Sequence, residues 1–283
     1  MDFGAAMFMT DYCIPAAELG RALEERGFES VWHPEHSHIP LSRKTPYPGG
    51  GDLPKMYYDA MDPFVTLTAA AAATKTLKVG TGVCLIIQRD TIQTAKLAAS
   101  LDQVSGGRFL FGIGGGWNQD EMEDHGTVYA TRFKKMREQV EAMRAIWTET
   151  KPEYHGEIVN FPPMMTWPKP AQNPLPVIVG GAFPHAARRA VRYGNGWIPT
   201  SRGGEIIVTE QLPAFKKMLA EAGRSLSDCP MTLFGSAQSD VDTLKRYRDM
   251  GVARVVPMLP PEPADKTLPA LDRWAQVIRQ VNA

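Results

Sequence analysis

Cysteine, net charge and long apolar runs are what this sequence has least of. The 283 residues include 3 cysteines, Cys13, Cys84 and Cys229, odd in number and far apart. They make neither a disulfide framework nor a Cys-x-x-Cys metal motif, and read as small buried hydrophobes in a reducing, cytoplasmic setting. Lys+Arg and Asp+Glu both number 31, so the formal charge is zero. Without a basic excess, a large nucleic-acid footprint is excluded. No apolar run approaches the ~18 residues of a membrane span, and Met1-Asp2-Phe3-Gly4 has no basic region of a signal peptide. Neither nucleic acid nor membrane is therefore expected as a partner.

What is there is the composition of a globular protein, 43% hydrophobic and 22% charged. That excludes collagen-like, disordered and coiled-coil classes. The length fits about two domains of ~150 residues or one closed α/β barrel of ~250. The order of elements decides between them. Short β-type runs are predicted at Phe3–Met9, Phe28–Trp32, Leu77–Val83, Arg108–Ile113, Pro176–Val179, Trp197–Pro199, Met231–Phe234 and Ala253–Met258. Helical spacing is predicted over Pro15–Arg26, Pro63–Thr74, Thr91–Val104, Thr131–Thr148, Pro184–Tyr193, Glu205–Ala222, Val241–Met250 and Leu268–Val281. Asp62 before Pro63 is an N-cap signal, and Gly27 a helix stop. Eight alternations with no change of composition predict a (β/α)8 TIM barrel as one domain over 1–283, with an open doubly wound sheet as the alternative. Two departures from the plain repeat are expected. A loop insertion follows strand two, from His33 to about Tyr58, and an extended excursion or hairpin with six prolines in residues 152–175 precedes strand five.

A barrel puts its site at the carboxyl ends of its strands. Strand two ends in His33-Pro34-Glu35-His36-Ser37-His38, the densest ionisable cluster in the chain. Imidazole works as acid or base near neutral pH, and a carboxylate can fix its tautomer. The cluster is a candidate for acid–base work, with a solvated loop as the plain alternative. A metal site is the rival reading of this cluster. It is not expected, because strand eight ends Pro257-Met258-Leu259-Pro260 without Asp or His, and His185 lies at a helix start.

Strand three carries glycine at alternate positions, Val79-Gly80-Thr81-Gly82-Val83, as in barrel packing or close approach of a flat ligand. Strand four ends Gly114-Gly115-Gly116-Trp117, but the acidic run Asp120-Glu121-Glu123-Asp124 follows and would repel a phosphate, so this turn suits a ring or substrate. Strand five ends Gly180-Gly181-Ala182 and feeds a helix with no carboxylate before Glu205, the best phosphate cradle in the sequence. Thr200 and Arg202, after strand six, could reach the same phosphate. Tyr57, Trp117 and Trp32 are candidate pocket walls, Trp32 equally a core residue.

Four segments carry a family resemblance: Gly80-Thr81-Gly82-Val83; Leu101-Asp102-Gln103-Val104-Ser105-Gly106-Gly107-Arg108-Phe109 through Gly112–Trp117; Val179-Gly180-Gly181; and Gly194-Asn195-Gly196-Trp197. In order and spacing the chain resembles the bacterial luciferase-like flavin- and deazaflavin-dependent oxidoreductases, most of all the coenzyme F420-dependent subgroup. The resemblance implies a barrel with the cofactor ring in its mouth and a cis peptide at Gly82-Val83 against the ring. It implies ring or phosphate contacts at Gly82, Val83, Gly114, Gly115, Asp120, Gly180, Gly181 and Ala182. It places Glu35 and His36 on an acidic-His pair facing the ring, with His36 as the expected proton donor or acceptor oriented by Glu35, and Trp117 where sugar-phosphate dehydrogenase members have a catalytic glutamate. Asn195 replaces the usual Asp before Gly-Trp, at a structural corner.

The implied activity is hydride transfer between F420 and a small organic substrate. The alternatives are an FMN-dependent monooxygenase and a flavin-binding protein without turnover. F420 carries a lactyl-glutamate tail and would need a basic groove beyond its phosphate, for which Arg202 and Lys216-Lys217 are the hints. FMN would need only the cradle. The resemblance also implies a homodimer.

Overall fold

The eight apolar runs become short parallel strands because each is too brief and too β-branched or aromatic to extend as a helix, and each is followed by an amphipathic segment that packs over it. In the computed structural model, which describes residues 1–200, 203–235 and 240–283, the strands in chain order are β1 (Asp2–Met7), β2 (Ser30–His33), β3 (Lys78–Thr81), β4 (Phe109–Ile113), β5 (Tyr154–His155), β6 (Asn160–Phe161), β7 (Val177–Gly181), β8 (Gly196–Pro199), β9 (Thr232–Phe234), β10 (Arg254–Val256) and β11 (Met258–Leu259). The helices are α1 (Ala16–Glu25), α2 (Met56–Asp59), α3 (Pro63–Ala72), α4 (Thr91–Ser105), α5 (Gln119–Asp124), α6 (Arg132–Thr148), α7 (His185–Tyr193), α8 (Gly204–Ile206), α9 (Leu212–Glu221), α10 (Val241–Asp249) and α11 (Ala264–Asn282).

The sheet runs β8-β7-β4-β3-β2-β1-β10-β9, with parallel neighbours throughout. A bridge from Trp197 to Met231 brings β8 back to β9 and closes the ring. This is the expected (β/α)8 barrel. Side chains alternate across the wall as a strand period of two requires. Ala6, Trp32, Leu110, Ile178, Ile198 and Val256 meet inside the barrel. Their neighbours Ala5, Val31, Phe109, Val177, Trp197 and Val255 face the helices. Trp32 is wholly buried and its Nε1 donates to Ser30 Oγ at 2.8 Å, so it is core and not pocket wall. It lies opposite Gly80, where a Cβ would stand 2.5 Å from the indole, so this glycine serves packing.

The excursion before the fifth barrel strand is the small antiparallel hairpin β5–β6. Three expected elements differ. The last strand breaks at Pro257, which has no N–H for the ladder, into β10 and β11. The helix expected over Glu205–Ala222 widens to a π turn over Ile207–Gln211 just before Pro213, whose missing N–H leaves the regular ladder incomplete. The last helix starts at Ala264, earlier than expected, with Pro269 inside it. The short helices α2 and α5 sit inside what read as loops.

Several motif residues act at the amino end of the barrel, away from the site. Arg108 donates to the Ser105, Ala71 and Thr74 carbonyls and ties the end of α4 to the end of α3. Asp102 accepts from the Gln172 backbone at 2.8 Å and its side-chain amide at 2.7 Å. Asn195 Oδ1 accepts from Arg144 and from the Val177 N–H, both at 3.2 Å, the corner role expected for it. Among the described residues no helix is long and apolar enough to cross a membrane.

Candidate active site

The segment after β2 is extended, so successive side chains point opposite ways. His33 is buried. Its Nδ1 lies 2.9 Å from the Met7 carbonyl and 3.1 Å from the Met9 nitrogen, and its Nε2 lies 2.8 Å from the Met61 carbonyl. Burial pushes its pKa down, so it is a neutral strut between strand ends.

Glu35 is also buried. Its Oε2 accepts from the Leu85 N–H at 2.7 Å and its Oε1 from Arg89 Nε at 2.5 Å. Arg89 also reaches Asp62, the N-cap of α3. Glu35 therefore braces the turn after β3 and does not orient His36, which corrects the expectation.

His36 turns the other way. Its Nδ1 lies 2.8 Å from Glu121 Oε2, and Glu121 Oε1 accepts from the Ser37 N–H at 3.2 Å. The Glu121 side chain is fully buried and that of His36 is 7% exposed. A carboxylate only accepts, so Nδ1 carries the hydrogen and Nε2 is the nitrogen turned away from Glu121. The sequence reading missed Glu121. Its signal was present in the acidic run after strand four, which read as a barrier to phosphate and is in fact the partner of the histidine run.

The other carboxylates of α5 hold the inserted loop. Asp120 accepts from the Ser42 hydroxyl and from the Lys44 N–H at 3.1 Å, and Asp124 lies 3.0 Å from His38 Nε2. The Ser42 hydrogen bond, above all, holds the Asp120 carboxyl below its ordinary pKa. Asp120 was expected at the ring edge. It is instead a loop anchor and is not among the residues lining the cavity.

That cavity, about 810 Å³, opens at the carboxyl ends of the strands. His36, Glu35, Gly82, Val83, Gly114, Gly115, Gly180, Gly181, Ala182, Thr200, Tyr57 and Trp117 all line it, so the structure brings together most of the predicted site. Arg202 lies outside the described residues. The Gly82-Val83 peptide is cis. Val83 stands between two glycines: a Cβ at Gly114 would lie 2.4 Å from Val83 Cγ2, and one at Gly180 2.7 Å from Val83 Cγ1. Any side chain at either position would displace Val83. At the far side, Gly181 has φ +135° and leads through Ala182 to the N-terminus of α7.

The wall beside His36 is aromatic. Its ring centre lies 5.3 Å from Tyr57 and 5.8 Å from Trp117, and Phe8 packs on Tyr57 at 4.6 Å. Tyr57 and Tyr47 hydroxyls are 3.2 Å apart. Burial, then the Tyr47 hydroxyl, push the Tyr57 phenol up, so it stays protonated. Phe133, His185 and Arg189, none of them predicted for the site, line the other end.

Residues 14–254 match the family described as luciferase-like monooxygenase, and the chain belongs to that family. It is 38% identical to an uncharacterised protein of Mycobacterium tuberculosis over 97% of this chain and 98% of the other. It is 27% identical to an F420-dependent glucose-6-phosphate dehydrogenase of Amycolatopsis mediterranei, over 74% of this chain and 60% of the other. Among solved structures, a monooxygenase from Streptomyces bottropensis superposes with TM-score 0.79 at 20% identity over 100% of both chains. An F420-dependent secondary alcohol dehydrogenase, captured with an F420-acetone adduct, does so with TM-score 0.79 at 17% identity, over 99% of this chain and 98% of the other. At those identities the two structures establish the barrel and nothing finer.

Proposed function

We propose that this protein is an F420-dependent oxidoreductase that moves a hydride between the deazaflavin and a neutral, largely apolar small molecule. The observation that carries this reading is the wedge of Val83 between Gly114 and Gly180 on one wall of a cavity whose other wall holds His36. The glycines leave backbone where side chains would intrude, which suits a flat ring. Gly180, Gly181, Ala182 and the start of α7 suit its phosphate through backbone N–H groups and the helix N-terminus. Those residues would hold the cofactor, with Thr200 beside them. When bound, the deazaflavin supplies a ring carbon that gives or takes hydride.

The protein's own part is to position, to exclude water and to manage one proton. Glu121 accepts the Nδ1 hydrogen of His36 and so fixes the tautomer that offers Nε2 as a base. With Nε2 protonated, the same carboxylate stabilises the imidazolium, and the ring serves as acid in the reverse direction. Tyr57, Trp117 and Phe8 keep this corner dry. Trp117 offers an apolar face and no acid, which supports a neutral substrate over a sugar phosphate.

FMN-dependent oxygenation is the second reading. It is supported by the family's description and by a cradle that by itself is sufficient for one phosphate. Anaerobic assay of F420 against small secondary alcohols and ketones tests the first reading. We expect turnover by the wild type and a fall of about 100-fold in His36→Ala with cofactor affinity kept within a few fold. Turnover unchanged in that variant would remove His36 from the chemistry.

A further inference from the structure

Beyond the Gly180–Ala182 turn the cavity is edged by unneutralised positive charge. Arg189 on α7 lines the cavity, with its Cζ 3.9 Å from the centre of the Phe133 ring. Arg132, the first residue of α6, has its Cζ 4.3 Å from the same ring. Two guanidinium groups gathered on one ring repel each other. Cation–π contact offsets part of that repulsion and does not cancel the charge. Arg132 Nη1 donates to the Tyr129 carbonyl at 2.8 Å, but the Nε of Arg132 and of Arg189 are both buried without a hydrogen-bond partner among the described residues. Among the described residues the titratable neighbours that act on Arg189 are Tyr193 and Arg132, with no carboxylate, and burial, above all, pushes its pKa down. Phe133 is itself fixed against the site, since a Cβ on Gly115 would stand 2.5 Å from its ring.

The lysines expected to form the basic groove have other partners, Lys217 Nζ lying 4.0 Å from Glu221. Lys216 Nζ donates to the Met250 carbonyl at 2.8 Å, at the amino end of the barrel just before β10, opposite the cavity. The charge that the sequence reading sought in Lys216-Lys217 is instead at Arg132 and Arg189.

One phosphate at the turn would be served by backbone and by the α7 N-terminus. Arg189 passes beside that turn, its Nη2 3.8 Å from where a Gly181 Cβ would be, and Arg132 lies across Phe133 from it. The positive charge thus continues past the phosphate position. We propose that Arg132 and Arg189 form a second anion site, for a carboxylate carried on the cofactor's side chain beyond its phosphate. This rests on the F420 reading, because FMN ends at its phosphate and leaves the pair without a ligand.

The test is equilibrium fluorescence titration of the whole protein and its Arg132→Gln, Arg132→Lys and Arg189→Gln variants. The two probes are F420 with its glutamate tail and the same deazaflavin truncated at the phosphate. We expect Arg132→Gln to raise the Kd for the tailed cofactor about tenfold and to leave the truncated one within about twofold. Arg132→Lys should recover part of the loss, and the salt dependence of the tailed cofactor's Kd should flatten in the Gln variants. The truncated probe also reports whether each variant still forms the pocket. Equal losses for both probes, or none for either, would overturn the second anion site while leaving the cofactor assignment intact. Wild type that bound neither probe would overturn the cofactor reading itself, and the anion site with it.

Discussion

His36 Nδ1 lies 2.8 Å from Glu121 Oε2, although the two residues are 85 positions apart and on different barrel loops. The densest run of histidine in the chain thus meets its densest run of carboxylate. The meeting serves two purposes. Glu121 sets the tautomer of His36 at the cavity wall, while Asp120 and Asp124 fasten the inserted loop.

Glu121→Gln tests the first purpose. A carboxamide can rotate its oxygen to accept the same hydrogen but cannot stabilise an imidazolium. Turnover should fall about 10- to 100-fold, with cofactor affinity largely kept. Glu35→Gln, in the brace with Arg89, should instead lower stability and leave turnover largely in place. Stopped-flow reduction of the cofactor, with a thermal melt of each variant, separates the two.

Asp120→Asn tests the second purpose. It weakens the acceptor for Ser42 and Lys44, so residues 37–45 should lose amide protection in hydrogen exchange and become sensitive to protease. Melting temperature should change by a few degrees at most, because the barrel core does not depend on this loop.

Gly180→Ala and Gly114→Ala place a methyl group within 2.7 and 2.4 Å of Val83. Each should weaken cofactor binding by at least about tenfold and cost about 1–3 kcal/mol of stability. Adding Val83→Ala to either should restore stability. Thermal melts with and without cofactor read both effects.

The amino end of the barrel carries a separate, pH-linked prediction. Arg254 donates to both oxygens of Glu29 at 2.8 and 2.7 Å, and Lys78 Nζ lies 2.8 Å from it. Burial alone would raise the Glu29 carboxyl, but these hydrogen bonds and charges outweigh it and hold it at about 2, against an ordinary 4.5. The folded-state value is depressed, so the stabilisation is fully present above pH 4.5 and is lost as pH falls through about 2. Glu29→Gln should cost on the order of 2–3 kcal/mol at neutral pH. The difference from wild type should shrink steadily below pH 4.5. Urea melts at pH 7 and pH 3 measure it, and activity should be unaffected.

The sequence carried the barrel clearly because its signals are local. Alternating apolar runs and amphipathic stripes, with Asp62-Pro63 and Gly27 as punctuation, follow from backbone geometry alone. Elements moved where a proline cut the ladder, at Pro257 and Pro213. The cavity floor was legible for a similar reason: Gly82, Gly114, Gly180 and Gly181 are conspicuous wherever they stand. Partner choice was not. Glu35 adjoins His36 in sequence yet faces away from it in an extended segment, and Glu121 becomes its partner only when strands two and four stand in one barrel. Arg132 and Arg189 are single arginines on separate helices, and nothing local shows that Phe133 gathers them.

Cofactor titration of the purified protein, following tryptophan fluorescence with F420 and FMN side by side, tests the cofactor assignment directly. Trp117, one of 6 tryptophans, lines the cavity, so its share of the emission reports on occupancy. F420 should bind tightly and FMN more weakly by about tenfold or more, the margin that a second anion site would supply. FMN binding as tightly as F420, or more so, would contradict it and move the protein to oxygen chemistry.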